Sequence, residues 1–158
     1  MAIVKDRKGS AVMLAGLLFG IVTFLFGLYI LEYRSLLIMY DKIDDSVIGA
    51  ELAALGTADK ERLGYGDIVL PEAGARNVFD VYLATNLEGV AAGPISVQEF
   101  IVYNPGDYPA FCPEGDEITE TTIHAVVTVP VKRLAFKGLL GETVDITVHR
   151  DSDSIFVD

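Results

Sequence analysis

Between Ser10 and Leu31 the chain runs for 22 residues without a charged side chain, ending in LAGLLFGIVTFLFGLYIL. As a helix this run crosses the roughly 30 Å hydrocarbon core of a bilayer. Lys5, Arg7 and Lys8 stand directly before it. A secretory signal peptide would carry a shorter apolar region followed by a small-residue cleavage site. Here the run passes into Tyr29-Ile30-Leu31-Glu32-Tyr33-Arg34, with no such site. A retained transmembrane span is the expectation.

The helical pattern continues beyond the span. From Leu31 to Leu55 there is no proline and one glycine, Gly49. Leu36, Tyr40, Ile43, Val47, Ala50 and Ala54 recur at spacings of three and four, which places them on one stripe. Asp41, Asp45 and Glu51 fall mainly away from it. The pattern predicts one helix from about Ser10 to Leu55, about 69 Å long. Its second half offers an apolar face to the chain's own domain or to a neighbouring copy. The resulting division is a basic leader at 1–9, a helical segment at 10–56 with the span at 10–31, and a folded body at 57–158.

In the body, Gly64-Tyr65-Gly66-Asp67 reads as an irregular connection and Ile68-Val69-Leu70 as a short strand before Pro71. A second helix is expected from about Ala75 to Glu88, with Val78, Phe79, Tyr82 and Leu83 as its apolar face. Ile95 to Tyr103 reads as a strand, and Pro105, Pro109 and Pro113 mark the stretch to Gly115 as a loop. Ile123, Ala125, Val127, Val129 and Val131 alternate with Thr122, His124, Val126, Thr128 and Pro130. Val144, Ile146 and Val148 alternate with Thr143, Asp145, Thr147 and His149 in the same half-buried strand pattern. Ile155-Phe156-Val157 reads as a terminal strand. The fold class is therefore α+β: a long N-terminal transmembrane helix continues into an extracytoplasmic domain with a short helix on an antiparallel sheet.

Charge changes the picture in one respect, orientation. The formal net charge is −11 over 158 residues. The first nine carry +2, and the chain from Glu32 onward carries nine Lys/Arg against 22 Asp/Glu, a net of −13. Positive charge beside a first span keeps that end in the cytoplasm, so the acidic body lies outside. The same balance argues against nucleic acid as a partner, because a phosphate backbone needs a basic footprint.

Candidate chemistry is sparse. His124 and His149 fall on the less apolar face of their strands and could be cross-strand neighbours, but no tight ligand spacing joins them to Cys112 or Asp116-Glu117. They read as strand-surface histidines. Cys112 stands alone: outside the membrane it is a free thiol or an intermolecular link, and its plainest reading is a partly buried small hydrophobe. Asp107, Asp116, Glu117, Asp151 and Asp153 lack calcium-loop spacing and read as solvated turns. No nucleophile elbow, zinc-helix or paired-cysteine motif is present. The expectation is no catalytic residue, no cofactor and no metal ligand. Gly16 and Gly20 lie one turn apart within the span, where small residues let another helix approach closely.

The N-terminal Arg7-Lys8-Gly9-Ser10-Ala11-Val12 resembles the start of TadE-like minor pilins and pseudopilins of bacterial tight-adherence and type IV-like systems. Asn77 to Leu87 (NVFDVYLATNL) resembles the short helix of related extracellular domains, and Val127 to Lys132 with Leu139-Leu140-Gly141 and Val144 to His149 resembles their paired C-terminal strands. The resemblance implies a structural subunit that assembles through its N-terminal helix, with the body projecting from the cytoplasmic membrane or into an extracellular filament. It implies membrane lipid and other pilin-like subunits or copies of itself as partners, and a prepilin peptidase and assembly platform. Cleavage would follow Gly9 and leave Ser10 first. Leu14 departs from the family's usual glutamate at the fifth mature position. The alternative is a single-pass extracytoplasmic binding or sensor module outside any filament.

Overall fold

The computed structural model describes residues 7–63, 68–113 and 115–154. The leader as far as residue 6, the 64–67 connection and the expected 155–157 strand lie outside the described residues. The elements are α1 (Arg7–Leu55), α2 (Lys60–Leu63), α3 (Glu72–Asn86), β1 (Ser96–Tyr103), β2 (Ala110–Phe111), β3 (Glu117–Ile118), β4 (Thr122–Lys132), α4 (Lys137–Leu140) and β5 (Thr143–Asp153).

α1 is a single 49-residue helix, about 73 Å long at the standard rise. Its two halves meet different surroundings. From Ser10 to Leu31 every residue except the half-buried Leu28 is exposed, including Phe19, Phe24 and Phe26. Ile43, Val47, Ala50 and Ala54 are fully buried. The change begins at Glu32, only 5 % exposed, whose Oε2 accepts the backbone N–H groups of Leu134 at 2.9 Å and Ala135 at 2.7 Å. Arg133 Nη1 lies 3.6 Å from Glu32 Oε1. One carboxylate thus ties the last turn of the apolar run to the end of β4.

A buried carboxylate receiving two amide donors holds them more strongly than a neutral acceptor would. Glu32→Ala should destabilise the body by on the order of 3 kcal/mol and speed hydrogen exchange at the Leu134 and Ala135 amides. Glu32→Gln, which keeps an acceptor, should recover much of that loss; equal exchange in all three forms would contradict the role.

The sheet has strand order β1-β4-β5, all neighbours antiparallel. α1 and α3 cover the face formed by Ile123, Ala125, Val127, Val129 and Val131 of β4 with Val148 of β5. From α3, Ala75, Phe79 and Leu83 join this core, and the Phe79 and Phe100 rings meet at 5.0 Å between centroids. α1 and α3 approach closely at Gly49, where a Cβ would stand 3.5 Å from the Asn86 amide nitrogen, in ordinary contact. Pro130 is tolerated in the central strand because β4 has by then outrun β1, whose last partner is Thr128. Its carbonyl accepts the Ala92 N–H at 2.7 Å.

Five local readings are corrected. Glu51, expected to fall away from the stripe, is fully buried, and Tyr82, expected on the apolar face of α3, is 51 % exposed. Tyr40 is 40 % exposed, and Met39 on the other edge of the stripe packs against the core instead. Residues 68–70 do not form a strand; the backbone N–H and C=O of Leu70 are held by the Asn104 amide at 2.7 and 3.1 Å. The proline-rich segment is not entirely loop, since β2 and β3 pair there in a small hairpin.

Candidate functional site

The second face of the sheet is less apolar, and it carries the chemistry. Strand alternation turns His124 away from the helices, and the register puts Asp151 directly opposite it on β5. A β-bulge between Val97 and Glu99 returns Glu99 to the same face, opposite Val126. The β2–β3 hairpin then brings in Cys112. Its N–H donates to the Asp116 carbonyl and its carbonyl accepts from Gly115, each at 2.9 Å. Gly115 has φ +102°, a conformation that favours glycine. The Asp116 N–H points at Cys112 Sγ from 3.3 Å.

The result is a compact group. Cys112 Sγ, a His124 ring nitrogen and an Asp151 carboxylate oxygen all lie within 4.8 Å of one another. His124 is fully buried and Cys112 is 3 % exposed. His124 Nδ1 lies 2.7 Å from Asp151 Oδ1; with the carboxylate ionised and able only to accept, Nδ1 is the donor. Nε2 faces Glu99 Oε2 at 3.6 Å, beyond hydrogen-bond range, and among the described residues it has no hydrogen-bond partner. Tyr103 borders the group, and its phenol is pushed above the ordinary value by burial first and then by Cys112, Asp151 and Glu99.

These positions correct the expectation that no residue set in the chain carries catalytic or metal chemistry. A buried thiol, imidazole and carboxylate at this separation are geometrically compatible with metal coordination. His124 is not a strand-surface histidine; His149, opposite Val126, is exposed. The cross-strand neighbour of His124 is Asp151 rather than His149, and Asp151 is a half-buried β5 residue rather than a solvated turn. Residue spacing alone misses this group because its members come from a hairpin and two strands. The strand pattern held one usable signal: a β4–β5 hairpin centred between residues 137 and 138 already sets His124 opposite Asp151.

The residues singled out on α1 separate into two sets. Gly9, Ser10, Gly16 and Gly20 lie on the exposed half, and a Cβ at Gly16 or Gly20 would meet nothing within 4 Å. Leu36, Ile43 and Val47 pack against the chain's own domain, and Tyr40 faces outward. No protein-family model, curated protein or solved structure matches the chain.

Proposed function

We propose that the chain is a membrane-anchored, pilin-like structural subunit that assembles through its N-terminal helix. One observation carries this reading: α1 is undivided, its first half bare apolar surface and its second half a core element of the α+β domain. The first half is long and apolar enough to cross a membrane. Among the described residues nothing covers it, so it requires lipid or neighbouring helices. Exposed Tyr29 and Tyr33 at its end suit a membrane–water boundary, where amphipathic rings gather. A span that continues into the core also favours retention over removal.

On this reading residues 1–9 remain cytoplasmic, and a prepilin peptidase cuts after Gly9. An assembly platform then draws the helix from lipid into contact with other pilin-like subunits. Leu14 stands where the family's glutamate would sit, so lateral contact here depends on apolar packing and on close approach at Gly16 and Gly20. A single-pass extracytoplasmic binding module is the second reading, favoured by the buried Cys112–His124–Asp151 group.

Protease added to intact protoplasts should digest the body and leave the span; protection of the body would contradict the orientation. N-terminal mass spectrometry of the assembled protein should find Ser10 first. Sheared surface material should be enriched in the protein if it enters a filament, whereas recovery solely as dispersed membrane protein supports the anchored module.

A further inference from the structure

We propose that Cys112, His124 and Asp151 bind a divalent transition-metal ion, zinc in preference to calcium or magnesium, with Glu99 orienting His124 from the far side of the ring. The site does not depend on the assembly reading above.

The donor set decides the class of ion. One thiolate, one imidazole and one carboxylate suit zinc, which takes sulfur, nitrogen and oxygen in four-coordinate geometry. Calcium and magnesium require several oxygens, and this group supplies one carboxylate beside sulfur and nitrogen. Charge points the same way. A thiolate and a carboxylate together carry −2, which a divalent cation cancels within a site whose imidazole is fully buried.

Geometry selects the ring nitrogen. Two ligand atoms about 2.0 Å from a tetrahedral ion stand about 3.3 Å apart. The 2.7 Å between His124 Nδ1 and Asp151 Oδ1 needs only a small opening to admit an ion. The Nδ1 proton then passes to Nε2, and the Cys112 thiol proton leaves to solvent. Nε2–H now points at Glu99 Oε2, which closes from 3.6 Å to a hydrogen bond. Carboxylate–histidine–metal chains of this kind fix the tautomer and ring orientation of ligating histidines. Metal binding therefore gives a partner to Nε2, a buried polar atom that is otherwise costly to leave unsatisfied.

Cys112 is 3 % exposed, so its sulfur presents no open face to a substrate, whereas a single ion needs only the small opening between His124 and Asp151 described above.

The test is titration of the purified, chelator-treated full chain in detergent with cobalt(II), followed by displacement with zinc. One equivalent of cobalt should bind with a near-ultraviolet thiolate-to-metal charge-transfer absorption, and zinc should abolish it, whereas calcium and magnesium should not. Cys112→Ser should remove the absorption, and Asp151→Asn should weaken binding at least tenfold. Glu99→Gln alters a side chain that is 49 % exposed, so folding should be retained while affinity drops about tenfold to a hundredfold. Absence of the thiolate absorption in the unaltered chain overturns the proposal. So does cobalt affinity that is equal in the unaltered, Cys112→Ser and Glu99→Gln chains. Either result leaves the membrane-anchored reading intact.

Discussion

Val47→Asp is expected to unfold the body. Val47 is fully buried between Ile43 and Ala50 on the half of α1 that packs against α3, β4 and β5. An aspartate there must lose hydration without a partner or take up a proton, and it also removes a packed side chain. Losses from such substitutions exceed about 4 kcal/mol, a large share of the roughly 5–15 kcal/mol that holds a typical domain together. Leu52→Asp supplies the control, because Leu52 is 57 % exposed on the same helix and surface substitutions stay within about 0.5 kcal/mol. Circular dichroism and limited proteolysis of the detergent-solubilised chain would show loss of the sheet in the first variant and retention in the second. If both variants stay folded, the second half of α1 is not a core element.

Glu51 should make stability fall as pH rises through neutrality. It is fully buried, and desolvation chiefly lifts its pKa from 4.5 to about 8, opposed by the Ser152 hydroxyl donating to Oε2 at 2.5 Å. Asp151 and Asp44 raise it further, while Arg150, paired with Asp44 at 2.5 Å through Nε, lowers it. In the folded chain Glu51 is therefore protonated at pH 7, whereas in the unfolded chain it is ionised. Because the folded state holds the extra proton, the group's contribution is complete below about pH 4.5 and is lost as pH rises to about 8. A tenfold change in proton affinity corresponds to about 1.4 kcal/mol, so the rise to about 8 sets an upper bound of about 5 kcal/mol on the whole range. Glu51→Gln should flatten the unfolding free energy between pH 6 and 9 and be the more stable form at the alkaline end. An unchanged slope in that variant would refute the assignment.

Part of this architecture is legible from local pattern alone. Ile43, Val47 and Ala54 lie near the centre of the α1 stripe, so helical periodicity identifies them without knowledge of what packs there. Tyr40 lies at one edge, and Ala50 and Met39 lie at the other. Which edge is covered depends on where α3 and β5 sit, and periodicity within one helix carries no such information. The alternating β4 and β5 residues likewise reveal two strands, yet the half-buried reading fails for β4, where Thr122, His124 and Val126 on the polar side are buried as well. Cys112, which lies beside the His124 ring, is placed there by the β2–β3 hairpin, and that hairpin rests on Gly115 and a handful of backbone hydrogen bonds rather than on any hydrophobic period. Glu32 is hidden for a similar reason: its partners are backbone amides 102 and 103 residues away.

Lateral assembly through the bare half of α1 is the central claim, and cysteine cross-linking within native membranes tests it most directly. A cysteine at Gly20 would project from α1 into space that the chain itself leaves open. On oxidation, or with a short bifunctional reagent, the Gly20→Cys chain should form a defined cross-linked species with a second copy or with another pilin-like subunit, identifiable by mass spectrometry. A cysteine at the exposed Asp145 on β5 serves as the comparison outside the span. If Gly20→Cys stays monomeric under conditions in which its thiol reacts fully with a membrane-permeant reagent, the helix is an anchor alone and the assembly account is wrong.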